Sequence, residues 1–158
     1  MFREVARKKQ VLSESQIKEV LKAGKRGVLS LLGDDGYPYG VPINYLYEEE
    51  SGKIYFHSGK KGHKIDSLKS CNKVSFCVYD EGYRADGEWA LNFKSVIVFG
   101  KISIVDDFQK SMDICRSLSL KFTDDEEYIR SEIEQFGKNT LCLELLPEHI
   151  TGKTINES

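Results

Sequence analysis

The chain has 158 residues, 40% hydrophobic and 30% charged, with a formal net charge of −2 and a pI near 6.0; this length suits one domain, 1–158, that buries its own core. The near balance of charge gives no global drive toward nucleic acid, and no apolar run approaches the roughly 20 residues of a membrane span. Met1–Gln10 lacks the apolar centre of a signal peptide, and Cys71, Cys77, Cys115 and Cys142 form no C-x-x-C pair, so a cytoplasmic protein with reduced, mostly buried thiols is expected in place of a disulfide frame or a metal site.

Ser13 and Gln16 have the spacing of a capping box, and Ile17, Val20 and Leu21 share one face of the helix that follows, which spans about 13–23 and stops at Gly24. Val28–Leu32, the turn Gly33-Asp34-Asp35-Gly36 and the β-rich Tyr39–Tyr47 predict a hairpin. Glu48–Gly52 is a further turn, and Lys53–Ser58 a third strand. A helix over Gly62–Ser70 precedes a fourth strand, Val74–Tyr79. The Asp80–Trp89 stretch reads as an irregular loop, in which Arg84 and Trp89 are either a lid over a ligand or packed on their own barrel. Ser95–Ile104 is a strong strand whose Gly100 suggests a bulge or a barrel bend. Two amphipathic helices fill an insertion of about 107–136, Asp107 to about Leu120 and Asp124–Phe136. Leu141–Leu146 closes the sheet, and Pro147–Lys153 trails from it. Antiparallel strands with short turns and peripheral helices define an α+β class and a small barrel.

The run from Ile54 to Leu68 carries the most chemistry: an apolar strand, the turn Gly59-Lys60-Lys61-Gly62, and the first turns of a helix containing Lys64. The glycines allow close backbone approach, and the helix start offers unpaired N–H groups and the positive end of its dipole to an anion. Only two residues separate the glycines, and Ile65 follows Lys64 where a Walker loop needs Ser or Thr. No G-x-G-x-x-G is present. The turn is therefore either a phosphate cradle of another kind or a solvated basic loop.

In this order the segments resemble the FMN-binding split-barrel family of pyridoxamine 5′-phosphate oxidase, and within it the 5-nitroimidazole-resistance branch. The residues that carry the likeness are Gly36–Tyr45, Ile54–Ser58 with Gly62–Asp66, Lys73–Phe76, Ser95–Lys101 and Ile150–Lys153. The resemblance implies a split β-barrel homodimer with one FMN in each of two clefts at the subunit interface. It implies that Lys64 and Ser58 bind the FMN phosphate, that Pro42, Ile43, Asn44 and Tyr45 border the isoalloxazine, and that Ser95 and Val96 touch flavin or phosphate. His57, on the strand bordering the pocket, would contact the flavin and deliver a proton to a reduced acceptor.

The implied activity is electron transfer from NAD(P)H through FMN to a small nitro or quinone-like acceptor. The ending Lys153–Ser158 lacks the basic, Trp-containing segment expected of a vitamin B6 oxidase. Competing readings are a non-catalytic flavin-binding or redox-sensing protein, and a haem-binding split barrel with His57 or His63 as axial ligand. Without the family, Asn44 is a polar residue on a wet strand face, Ser95 a strand cap, and His57 a histidine bonded to backbone. His63 reads as a solvated residue or a supplementary phosphate donor, and His149 as a tail residue.

Overall fold

The computed structural model describes residues 1–157. Helix α1 (Glu14–Ala23) starts at the expected capping box: Ser13 Oγ accepts from the Gln16 amide at 3.2 Å and Gln16 Oε1 from the Ser13 amide at 2.9 Å. Its Val20 and Leu21 are buried against the barrel. Strand β1 (Arg26–Leu32) pairs antiparallel with β2 (Pro38–Asn44), as the hairpin pattern predicts. There follow β3 (Leu46–Glu48), β4 (Lys53–Gly59), α2 (His63–Ser70), β5 (Lys73–Tyr79), β6 (Tyr83–Arg84) and β7 (Leu91–Ile104). The insertion holds α3 (Phe108–Ser119) and α4 (Glu126–Phe136), and β8 (Thr140–Asn156) ends the sheet. No helix among the described residues is long and apolar enough to cross a membrane.

The strand order is β2-β1-β5-β7-β8-β4-β3, with β6 hydrogen-bonded to β7. The two ends of this path, β2 and β3, are separated in sequence by Tyr45 alone, so the sheet must curl until its edges meet. A split-barrel, half-closed antiparallel sheet is the result. This corrects the expectation of one strand over Tyr39–Tyr47. The strand breaks at Tyr45, whose amide bonds to the Lys25 carbonyl at 3.2 Å and whose hydroxyl donates to the Leu21 carbonyl at 2.7 Å. A buried tyrosine needs such a partner, and this one fixes the corner.

Two further boundaries differ from the sequence reading. Residues 147–153 are not a tail: β8 runs on through them to Asn156, pairing first with β4 and then along β7. The bulge falls beside Gly100 as expected, but the extra residue, Glu148, belongs to β8. A Cβ at Gly100 would strike the Leu146 carbonyl, which is why a side chain is absent there. The Asp80–Trp89 loop contains the two-residue β6, and Trp89 is 91% exposed, not packed on its barrel.

The main core fills the curl. Phe76 is met edge-on by Tyr45 and Phe56, each with ring centroids 5.0 Å away, among Leu29, Val96, Val98 and Leu143. A second, smaller core lies outside the sheet, where α3 covers Tyr55 and Cys142 with Ile114 and Cys115. Strand alternation creates this division, since Ile54, Phe56 and Ser58 face inward while Tyr55 and His57 face outward. The N-terminal segment straps the outer face of β7 and β8: the Phe2 ring stacks on His149 at 5.0 Å, and the Leu12 amide bonds to the Gly152 carbonyl at 2.9 Å.

Candidate functional site

The basic turn folds as its residues dictate. Gly62 adopts φ 128°, a conformation open to glycine, and caps α2 with no side-chain acceptor on the helix's first amides. Ile65 and Leu68 bury the opposite face of α2 in the main core, which holds its N-terminus still. Lys64, one position into the helix, is half-buried. Burial pushes its pKa below the ordinary lysine value, and no carboxylate is paired with it among the described residues. A partly desolvated ammonium beside helix-start amides is an arrangement chemically suited to an anion.

His57 is open to solvent on the outer face of β4, yet partial desolvation lowers its pKa, with the Lys64 charge adding to the effect. Its imidazole is thus held neutral near pH 7. The neighbouring His63 is occupied otherwise: its ring stacks on Tyr39 with centroids 3.9 Å apart, and Nε2 lies 3.9 Å from Asp34 Oδ2. Tyr39 and Asp34 were not singled out by sequence. They clamp the turn to the β1–β2 connection, and no local pattern links residues so far apart in the chain.

The other expected site residues separate by strand face. Pro42 is exposed on the outer face of β2, and Asn44 is half-buried, its Oδ1 accepting from Arg26 Nε at 2.8 Å. Arg26 in turn lines a cavity of about 500 Å³ with Lys25, Tyr79 and Lys94. Ile43, Tyr45 and Val96 are buried in the main core, so only their backbone can meet a ligand. The Ser58 hydroxyl, 8% exposed and inward-facing, donates to the Gly59 carbonyl at 3.0 Å. It could serve an anion only by giving up that bond.

Ser95 faces outward and lines a cavity of about 270 Å³ with Arg7, Thr151 and Lys153. It pairs with Lys153 on β8, whereas His57 pairs with Cys142 on the same strand. Those β8 partners lie roughly 35 Å apart along the strand contour. Within one chain Ser95 and the basic turn therefore belong to different places. A cavity of about 650 Å³ lies elsewhere again, between α3 and α4, lined by Met112, Ile129, Ile133 and charged residues such as Arg116 and Glu126.

The family profile of pyridoxamine 5′-phosphate oxidase matches residues 13–154, and the chain belongs to that family. Among solved structures, a Bacteroides thetaiotaomicron protein assigned provisionally to 5-nitroimidazole antibiotic resistance superposes with a TM-score of 0.79 at 21% identity, covering 92% of this chain and 87% of that one. An FAD-binding protein from Mycobacterium smegmatis gives 0.67 at 20% identity, with 94% and 99% covered. An FAD- and haem-binding protein from the same organism gives 0.72 at 17%, with 95% and 74% covered. At these identities the likeness establishes the split-barrel fold. No curated protein matches the chain.

Proposed function

We propose that the protein is a homodimeric, FMN-dependent oxidoreductase that draws electrons from NAD(P)H and reduces a small nitro or quinone-like acceptor. The observation that carries this reading is Lys64, a half-buried cation with no counter-charge among the described residues, at the glycine-opened start of α2. The residues fit a terminal phosphate: Lys64 and the first amides of α2 would hold it, and Lys60 and Lys61 add exposed positive charge. One such cradle suits the single phosphate of FMN. Family membership and structural relatives described as FAD-binding or as nitroimidazole-resistance proteins support a flavin and an acceptor of this kind.

A homodimer accounts for two features. Ser95 is remote from Lys64 in one chain and would join it only across an interface. The outer face of the central strands also carries Val28, Cys77, Ile97 and Phe99, partly uncovered, a stripe a second copy can bury. Bound FMN would supply the two-electron chemistry. The protein would anchor its phosphate through Lys64, orient it from β2 through Asn44 and backbone, and hold at His57 a neutral imidazole able to relay a proton.

Incubation with excess FMN, desalting and mass spectrometry of the denatured supernatant tests the cofactor; one FMN per chain is expected, while haem or FAD recovered instead overturns the assignment. Addition of NADH or NADPH should then bleach the flavin absorbance anaerobically, and nitroaromatic or quinone should restore it. A flavin that neither nicotinamide reduces would leave a flavin-binding protein and end the oxidoreductase claim.

A further inference from the structure

A second pair of reactive groups sits behind the sheet, apart from the basic turn. The sulfurs of Cys115, on α3, and Cys142, on β8, lie 3.6 Å apart in the smaller core. We propose that these two thiols form a redox-active pair that a small hydroperoxide converts reversibly to a disulfide, fastening the helical insertion to the barrel.

Several features single out this pair. Both elements are fixed, because α3 and β8 are also joined by Lys110 Nζ to Glu144 Oε2 at 3.1 Å. A disulfide needs about 2.05 Å between sulfurs, so the thiols must close by roughly 1.5 Å, a distance within reach of small side-chain rotations. The Cys142 thiol lies within reach of both the Ser111 carbonyl, at 3.3 Å, and the Cys115 sulfur, so its one proton can serve either. Cys142 is fully buried, while Cys115 keeps 9% exposure, the side from which a molecule as small as hydrogen peroxide can arrive. The hydrogen bond to Cys115, and burial after it, push the Cys142 thiol up, and the same bond lowers Cys115, so Cys115 ionises first.

The chemistry balances without a metal or cofactor. The Cys115 thiolate attacks one peroxide oxygen, the O–O bond breaks, and the hydroxide released takes a proton to become water. Cys142 then attacks the resulting sulfenic sulfur; the S–S bond forms as the S–O bond breaks, and the second water leaves with the Cys142 proton. Two electrons pass from the two thiols to one peroxide. A thiol reductant reverses the step.

The disulfide would close a loop containing all of α4, constraining the unfolded chain and holding the insertion in place. Cys71, at the end of α2, and Cys77, on β5, are free and half-buried and provide the internal control.

The experiment treats the reduced full chain with hydrogen peroxide, alkylates under denaturing conditions, and reads intact mass and peptide maps. A loss of about 2 Da before alkylation, two of the four cysteines resisting alkylation, a Cys115–Cys142 peptide, and reversal by dithiothreitol are expected. The Cys71→Ser/Cys77→Ser double variant should behave identically, and Cys115→Ser should not form the bond. Full alkylation of the folded double variant after peroxide, over-oxidation of Cys115 without a crosslink, or a linkage through Cys71 or Cys77 in the wild-type chain would each overturn the proposal. The oxidised protein should also melt at a higher temperature than the reduced one, and equal melting would refute the fastening role.

Discussion

Lys64 and Lys121 are both half-buried, and in both the loss of water pushes the pKa down, for Lys121 to about 8 with the charge of Lys25 contributing. Their surroundings differ. Lys121, at the end of α3, donates to the carbonyls of Gly24 at 2.7 Å and Tyr45 at 2.6 Å, and its ammonium stands 4.2 Å from the centre of the Tyr45 ring. It closes the gap left where the chain turns its corner. Lys64 has no such partner among the described residues. A desolvated cation whose donors are consumed by the fold is structural; one whose donors remain unspent is available to a ligand.

Replacing each lysine by methionine should therefore separate stability from binding. Lys121→Met removes the donor to two part-buried carbonyls and should lower unfolding free energy by about 1–3 kcal/mol, from the cost of stranded polar groups. A shifted urea midpoint at unchanged slope measures it, with FMN affinity retained by the folded variant. A loss of affinity equal to that of the turn variant would dissolve the distinction.

Lys64→Met should show the reverse. FMN binding weakens by about 1.5–3 kcal/mol, the worth of a hydrogen bond to a charged group, while the apo-protein is as stable as before or slightly more so. Fluorescence titration gives the first quantity and urea unfolding the second.

The smallest expected effect is at His57. Desolvation first, and the Lys64 charge second, hold its pKa below the ordinary 6.5, so the fold favours the neutral ring. Below 6.5 the unfolded chain binds the extra proton first; the stability linked to His57 is fully present above that value and is lost as pH falls through the folded pKa. Removing the Lys64 charge should raise the His57 pKa, visible in an NMR titration of its ring protons. Phosphate bound at Lys64 should move it the same way. An unmoved His57 in Lys64→Met would show that the two do not share a site.

Local signals were legible in the sequence because their physics is local. The Ser13–Gln16 cap, the pairing of β1 with β2 and the glycine-framed basic turn all formed as read. Pro147 concealed the length of β8, since proline ordinarily ends a central strand; here it sits beside the Glu148 bulge, where pairing is already interrupted. The broken strand at Tyr45 was equally hidden, because the β-rich run continues through it and the bend is fixed by partners distant in the chain, Leu21, Lys25 and Lys121. In the candidate site the residue types were readable, but adjacent positions such as His57 and Ser58 fall on opposite faces, a consequence of the pleat that motif matching ignores.

The position of β8 between β7 and β4 has a consequence for synthesis. Until Thr140–Asn156 leaves the ribosome, β4 has only the three-residue β3 beside it, and β7 has an open flank thirteen partners long. Two sticky edges thus wait for the last strand made, a long-range pairing that is slow to find and prone to capture by neighbouring chains. A nascent chain stalled before residue 140 should accordingly be a better client for chaperones than one released whole.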